Sequence, residues 1–212
     1  MTLAVRLQNA YYSLIDRLFT ISLSSERQNE LASLRLRLVA EPNQYEVSNR
    51  ERQLAQDLRE LRKQMIKLIV PVRACCTCGK GFPPPNGCWD GGYCCGGTTE
   101  NVFSQVEIAS LRAAGTDPDD FPAPDHRQAG CMFRSAIGCL LQPEHRPNLC
   151  VRYACRLLRE EYENRGISAE VSKLASNIQR AFHEFSIQRD ARVGSEAKAA
   201  MEHELKIRNA TG

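Results

Sequence analysis

The feature that most constrains this chain is a segment near its middle that is rich in cysteine, glycine and proline. Residues 75–97 read CCTCGKGFPPPNGCWDGGYCCGG and hold six of the ten cysteines. The remaining four follow at Cys131, Cys139, Cys150 and Cys155. Because glycine and proline disfavour both helix and strand over this stretch, something other than regular secondary structure has to hold it in place.

The N-terminus decides how the cysteines are interpreted. Arg6, Asp16 and Arg17 interrupt its apolar residues, and no small-residue cleavage site follows, which is unlike a signal peptide. No apolar run approaches the roughly 20 residues that span a bilayer. We therefore expect a cytoplasmic protein, and in a reducing cytosol this many cysteines indicate metal ligands or redox chemistry. A disulfide framework is the alternative, and it requires export.

The charge balance gives no reason to expect a polyanionic partner. The chain has 28 basic and 25 acidic residues, a formal net charge of +3, and no dense basic block. We therefore expect neither nucleic acid nor a membrane surface to be a partner.

The first 70 residues are predicted to form a helical hairpin. The capping box Ser48–Glu51 begins a helix that Pro71 ends. Its apolar seam follows heptad spacing and consists of Val47, Leu54, Leu58, Leu61, Met65 and Leu68. Two earlier helices are indicated by a capping signature at 25–28 before Leu31, Leu34 and Leu38, and by Leu3, Leu7, Leu14 and Leu18. We expect the seam to pack within the chain, and a homodimer seam is the alternative.

One short helix is predicted inside the cysteine-rich region. The capping signature Ser104–Glu107 begins it, Ile108 and Leu111 give it an apolar face, and Gly115 ends it. Residues 115–126 then form a loop, because their acidic residues and prolines show neither a helical nor a strand period.

Helices are also predicted over the C-terminal third. One begins with Pro147 in its first turn and continues to Gly166. A second begins at Ser168, and the tail from Ser195 is predicted as a further helix. The apolar stripe of the second helix consists of Val171, Leu174, Ile178, Phe182 and Phe185.

These elements predict a mainly α protein, in which helices from both ends of the chain flank an irregular, cysteine-rich metal-binding domain. The predicted boundaries are 1–70 for an N-terminal helical hairpin, 71–165 for the cysteine-rich domain and 166–212 for C-terminal helices. The middle domain has too few apolar residues for a core of its own, so we expect its folding to be coupled to metal binding.

Thiolates bind zinc tetrahedrally and also hold iron–sulfur clusters. The predicted metal ligands are Cys75, Cys78, Cys88, Cys94, Cys95, Cys131, Cys139, Cys150 and Cys155. Cys76 is an alternative to Cys75. Because ten thiols exceed one tetrahedral site, we expect about two Zn²⁺ ions, or iron in an iron–sulfur cluster, with each centre joining the first half of the cysteines to the second.

Some residues near the last cysteines bear on their chemistry. Cys150 and Cys155 lie near a predicted helix start, and Arg146 and Arg152 flank Cys150, so both features favour its thiolate. His126 and His145 are further zinc-ligand candidates, but we interpret them as polar loop residues because thiols are plentiful. A nucleophilic pair of Cys150 with His145 is a third reading of the same residues.

The most specific pattern is GC(x7)C followed by RPxxCxxYxC. In CLLQPEHRPNLCVRYAC, its positions are held by Cys139, Arg146, Pro147, Cys150, Tyr153 and Cys155. Residues 75–160 thereby resemble the zinc- or iron-chelating CxxCxxCC family, also called YkgJ-like cysteine-cluster proteins. The compact motif of that family is interrupted here, since an insertion separates Cys75 and Cys78 from Cys94 and Cys95. The resemblance implies a metal-binding module.

No paired carboxylates, Ser-His-Asp set or phosphate-binding glycine loop suggests an enzyme. We therefore expect a non-enzymatic metal-binding protein, whose metal is structural, stored or delivered and whose helices dock a protein partner. The alternative is an iron–sulfur or redox-active protein acting in electron transfer, sensing or protein modification. A metal-free thiol redox sensor is the third possibility.

Overall fold

The computed structural model describes residues 27–70, 99–124, 131–135 and 138–211. Over these ranges the protein is mainly helical, which confirms the mainly α class, while the cysteine-rich metal-binding domain and the three-domain division stay predictions. The helices are α1 (residues 27–40), α2 (Asn49–Ile69), α3 (Thr99–Val102), α4 (Gln105–Ala113), α5 (Asn148–Arg152), α6 (Arg156–Asn164) and α7 (Ser168–Thr211). Single 3-10 turns lie at Pro118–Asp120 and Pro143–His145. Strands β1 (Arg134–Ser135) and β2 (Gly138–Cys139) pair antiparallel, with Arg134 opposite Cys139.

Helix α2 begins and ends where the sequence predicts. The Ser48 hydroxyl accepts from the Glu51 amide at 3.1 Å, and the Glu51 carboxylate accepts from the Ser48 amide at 3.3 Å, which completes the capping box. The backbone turns extended at Val70, directly before Pro71, because a residue that precedes proline disfavours the helical conformation. The leucines predicted for the first helix lie wholly outside the described residues. The capping signature at 25–28 lies outside them at its start.

Helix α7 packs antiparallel along α2. Arg165, just before α7, donates to the carbonyl of Leu68 at the end of α2, while Glu184 farther along α7 accepts from Arg50 at the start of α2. The predicted stripe of α7 faces this contact, with Ile178 and Phe185 among its buried members. The α2 seam is thus covered within one chain.

The C-terminal tail is part of α7 and not a separate helix, so that prediction was wrong. The helix runs without interruption for 44 residues through Gly194. A single glycine costs a helix only about 1 kcal/mol and, unlike proline, does not break it. Residues 193–207 are exposed along this extension.

The single helix predicted from Pro147 to Gly166 was also wrong, because the structure has two helices there, α5 and α6. Pro147 lies at the N-cap of α5 and not in its first turn, and the backbone is extended at Tyr153 and Cys155. No helix breaker stands between these residues. The break comes from tertiary packing, since Ala154 and Cys155 both lie against the main core.

Two apolar cores support the fold. The larger lies between α2 and α7 and also receives side chains from α4, α5 and α6. The smaller contains Phe103, Phe121 and Phe133, each fully buried, with ring centroids 5.6–5.7 Å apart. Leucines of α1 complete it. The described part of the middle region therefore shares its core with the N-terminal region.

Arginine side chains attach the irregular segments to the helices. Each donates to a backbone carbonyl that lies in a loop or at a helix end. The pairs are Arg35 with Phe121, Arg37 with Phe103, Arg52 with Gln44, Arg59 with Ala114, Arg146 with Leu141 and Arg165 with Leu68. These bonds satisfy carbonyls that no regular secondary structure would satisfy.

Within the described ranges, no helix combines the length and the apolar character needed to cross a membrane.

Candidate metal centre

Only four of the ten cysteines belong to the described residues. The predicted ligands Cys75, Cys78, Cys88, Cys94 and Cys95, the alternative Cys76 and the candidate His126 lie outside them. The four described cysteines differ in exposure: Cys131 is buried, Cys139 and Cys155 are half-buried, and Cys150 is exposed. In the part of the chain that is described, no three His, Cys, Asp or Glu side chains come together as a metal-ligand group.

The β-hairpin brings Cys131 and Cys139 together. Cys131 precedes β1 and Cys139 ends β2, and the Leu140 amide donates to the Phe133 carbonyl at 2.8 Å beside them. Both cysteines lie against the core of three phenylalanines. Burial raises the pKa of the Cys131 thiol to about 11, and the neighbouring Cys139 thiol contributes in the same direction.

A second contact ties this hairpin to the segment that follows the six clustered cysteines. The Met132 amide donates to the Thr99 hydroxyl at 3.4 Å, and both residues are buried. Thr99 begins α3 and stands four positions after Cys95 in the sequence. Thr99, four positions after Cys95 in the sequence, therefore lies beside the residue that follows Cys131.

Arg146 connects the same hairpin to the loop before α5. Its guanidinium donates to the Leu141 carbonyl at 2.9 Å and to the Cys139 carbonyl at 3.3 Å. The hydrogen bonds of Arg146 fix the hairpin, while its expected electrostatic effect on Cys150 stays a prediction. This contact gives the arginine of the RPxxC pattern a structural role.

The other two described cysteines lie on either side of the helix break. Cys150 is the third residue of α5, and Cys155 is the N-cap of α6. Cys155 packs against the larger core, whereas Cys131 and Cys139 pack with the smaller one. The described thiols therefore occupy two places in the fold.

A buried polar network holds the first residue of α5. Both carboxylate oxygens of Glu107 accept from the Asn148 amide, at 3.0 and 3.1 Å, and one also accepts from the Asn148 side-chain nitrogen at 3.0 Å. The Asn148 side-chain oxygen accepts from Arg62 Nε at 3.0 Å, and Arg62 Nη2 donates to the Ser110 hydroxyl at 2.9 Å. Asn148 is thus bonded through its backbone and through both ends of its side chain.

The charges of this network are out of contact with water. Burial lowers the pKa of Arg62 to about 10, although Glu107 acts in the opposite direction, so the guanidinium stays charged at neutral pH. Burial also raises the pKa of Glu107, against the effects of Arg62, the α5 amides and Arg152. The Arg62–Glu107 distance is 3.7 Å, and Arg62 Nη1 has no hydrogen-bond acceptor among the described residues.

His145 is buried, and it lies in the 3-10 turn that precedes α5. Its Nδ1 lies 3.0 Å from the Thr116 hydroxyl, and its Nε2 faces Asp120 at 3.7 Å. Burial lowers the pKa of His145. The alternative pair of His145 with Cys150 stays a prediction. Thr116 itself is only 1% exposed, so no substrate reaches its hydroxyl.

The sequence interpretation missed Glu107 and Arg62 as parts of this region. Glu107 was taken only as the last residue of a capping signature. Arg62 carries a signal that was available, because it follows Leu58 by four residues and precedes Ile69 by seven, which places it on the apolar face of α2. A charge at such a position indicates a buried partner elsewhere in the chain.

The comparisons with known proteins add no further identification. The chain matches no family model, no curated protein and no solved structure. The resemblance to the CxxCxxCC cysteine-cluster family therefore stays a prediction that rests on the motif residues themselves.

Proposed function

We propose that this chain is a cytoplasmic, non-enzymatic cysteine-cluster protein that binds zinc through its thiols. The observation that carries this proposal is the placement of Cys131 and Cys139, two soft ligands, against the same small core at the two ends of a short hairpin. Zinc bound by thiolates needs about four ligands. The missing ligands come from the first half of the cysteines.

Chain connectivity supports this source of ligands. Four residue steps separate Cys95 from Thr99, which is bonded to Met132 next to Cys131. At most about 3.6 Å per residue, those steps span no more than about 14 Å. Cys94 and Cys95 are thereby the closest candidates in sequence for completing a centre with Cys131 and Cys139.

A second centre is proposed at the helix break. The six-cysteine segment follows the end of α2, and Cys75 stands five residue steps after Val70. Cys155 packs on the core to which Ile66 and Ile69, at that end of α2, also belong. We assign Cys150 and Cys155, with ligands from the group around Cys75 and Cys78, to this second site. The helical surfaces then serve to dock a protein partner.

The test is to purify the full chain anaerobically without a metal-affinity tag, and to measure zinc, iron and sulfide together with a visible spectrum. About two zinc ions per chain and no visible absorbance are expected. Iron with acid-labile sulfide and a broad band near roughly 400 nm would replace this proposal by the iron–sulfur alternative. A chain with no stoichiometric metal would overturn it.

Two double variants test the assignment of cysteines to centres. Cys131→Ser with Cys139→Ser is expected to lose one of the two zinc ions, and Cys150→Ser with Cys155→Ser the other. Each variant is the control for its counterpart. If either pair removes all the metal, or none, the two-centre assignment is wrong.

A further inference from the structure

Helix α5, which carries Cys150, is too short to hold itself in place. It has five residues, fewer than the about 12 needed for even marginal stability of an isolated helix. Its N-cap is Pro147, whose side chain offers no acceptor to the first amides. An acceptor for those amides has to come from another part of the chain.

Glu107 of α4 supplies this acceptor. Both of its carboxylate oxygens accept from the Asn148 amide, the first of α5, and the Leu149 amide that follows acts to lower the pKa of Glu107. A negative charge at this end of a helix also interacts favourably with the unpaired amides. Glu107 therefore caps a helix about 40 positions away from its own.

The carboxylate is itself held in position. Glu107 is 5% exposed, and Arg62 of α2, which is fully buried, lies 3.7 Å from it and donates to Asn148 and Ser110. Helices α2, α4 and α5 thus meet at one buried group of charges. A displacement of Glu107 would release Asn148, and Cys150 is only two residues farther along the same helical turn.

We propose that Glu107 is a positioning residue for α5, which fixes Cys150 relative to the helical frame in the arrangement that the metal centre requires. The role of Cys150 as a ligand rests on the proposed function above. The contact between Glu107 and α5 is a separate statement, which metal-independent measurements test. Residues that orient ligands in this way typically contribute about ten- to hundred-fold to metal affinity.

The experiment compares Glu107→Gln with Glu51→Gln in the full chain. Both glutamates are buried, both pair with an arginine, and both are the third residue of their helix, but Glu51 contacts no residue of α5. Glutamine removes the negative charge and leaves one acceptor oxygen in place of two, so the hydrogen bonds from Asn148 lose their charge-assisted strength. Zinc affinity is measured by competition of Zn²⁺ with a chromophoric chelator, and amide hydrogen exchange is followed for the peptide covering residues 146–155.

Glu107→Gln is expected to weaken zinc binding about ten- to hundred-fold and to accelerate exchange in this peptide by about the same factor. Glu51→Gln is expected to change neither, whatever its effect on global stability. Equal zinc affinity in the two variants, or unchanged exchange over 146–155, would overturn the positioning role.

Two further outcomes remain interpretable. If the wild-type chain binds no zinc, the proposed function fails, while the exchange measurement still decides whether Glu107 holds α5. If Glu107→Gln does not fold, the double variant Arg62→Met/Glu107→Leu removes both buried charges, which is often tolerated. It lacks the carboxylate as well, so it is expected to show the same weak zinc binding and fast exchange, and normal values would refute the proposal.

Discussion

Two places in this chain begin a helix with the same four-residue signature, and the two glutamates end in different environments. Ser48 and Ser104 each accept from the amide three residues later, at 3.1 and 3.3 Å. At α2, the Glu51 carboxylate returns to its own cap and also accepts from Arg192 at 3.0 Å. At α4, the Glu107 carboxylate leaves its own helix and binds the first amide of α5, that of Asn148.

The arginine partners differ in the same way. The Arg192 side chain is 15% exposed, and although its own desolvation lowers its pKa, hydrogen bonds to Glu51 and Glu196 raise that pKa above its usual value. The Arg62 side chain has no exposure, and its pKa falls. The comparison teaches that the signature predicts the serine cap, whereas the partners of the glutamate decide what its carboxylate stabilises.

The largest expected difference comes from removing each arginine. Arg62→Leu should lower the free energy of unfolding by about 3–5 kcal/mol, because Glu107 is left as an unpaired buried charge. Arg192→Leu should cost about 1–3 kcal/mol, because the Arg192 side chain is 15% exposed and its interaction with Glu51 is less completely desolvated than that of Arg62 with Glu107. Urea unfolding of both variants and the wild type measures the two losses.

Equal losses in the two arginine variants would contradict the comparison. They would mean that Glu107 depends on Arg62 no more than Glu51 depends on Arg192. Arg50→Leu is a suitable control, because Arg50 forms an exposed ion pair with Glu184 and is expected to cost no more than about 1 kcal/mol.

An intermediate effect on stability is expected from pH. It concerns His145, whose pKa Arg62 helps to lower. Its folded-state pKa is lowered mainly by burial and also by Arg59 and Arg62, against the opposing effects of Asp120 and Glu144. The unfolded chain takes up the proton near pH 6.5, and the folded chain resists it. Stability from His145 is therefore present above about pH 6.5 and is lost as pH falls through the folded-state pKa, at up to about 1.4 kcal/mol per pH unit.

His145→Gln should flatten this acid side of the stability curve when urea unfolding is measured at a series of pH values between about 7 and 5. His183→Gln is the control, because His183 is exposed on α7 and should leave the slope unchanged. If the free energy of unfolding of His145→Gln depends on pH as steeply as that of the wild type, the folded chain does not resist protonation of His145.

The smallest difference is expected at the serines. Ser48→Ala and Ser104→Ala should each lower the free energy of unfolding by about 1 kcal/mol. Each removes an exposed N-cap hydroxyl that accepts a hydrogen bond from the amide three residues later. Their thermal unfolding should therefore shift by similar amounts. A much larger effect at Ser104 would indicate that the α4 cap also keeps Glu107 in place.

Most of the helical architecture follows from the sequence. The start of α2, the stripe of α7 and the cap of α4 all follow from patterns that span at most a few turns, and local hydrogen bonds and apolar spacing suffice to specify them. The split at Tyr153–Cys155 does not, because no local residue breaks the helix there and the cause lies in contacts with the larger core.

The candidate site was predicted less completely. The motif identified the residues around Cys139 and Cys150. The hydrogen bonds of Arg146 were not predictable, because their acceptors are carbonyls at a hairpin that only the folded chain brings near. Arg62 and Glu107 are 45 positions apart, and Asn148 lies 41 positions beyond Glu107. Contacts among residues so far apart along the chain produce no periodic pattern that a single sequence would reveal.

The uninterrupted length of α7 has a consequence for any measurement of size. At 1.5 Å per residue its 44 residues extend about 66 Å, whereas a compact chain of 212 residues has a radius of gyration of about 17 Å. A rod of that length increases the hydrodynamic drag of a monomer beyond that of a sphere of equal mass. Early elution from a gel-filtration column is therefore the expected behaviour of a single chain, and only a mass measurement such as light scattering distinguishes that rod from a pair of chains.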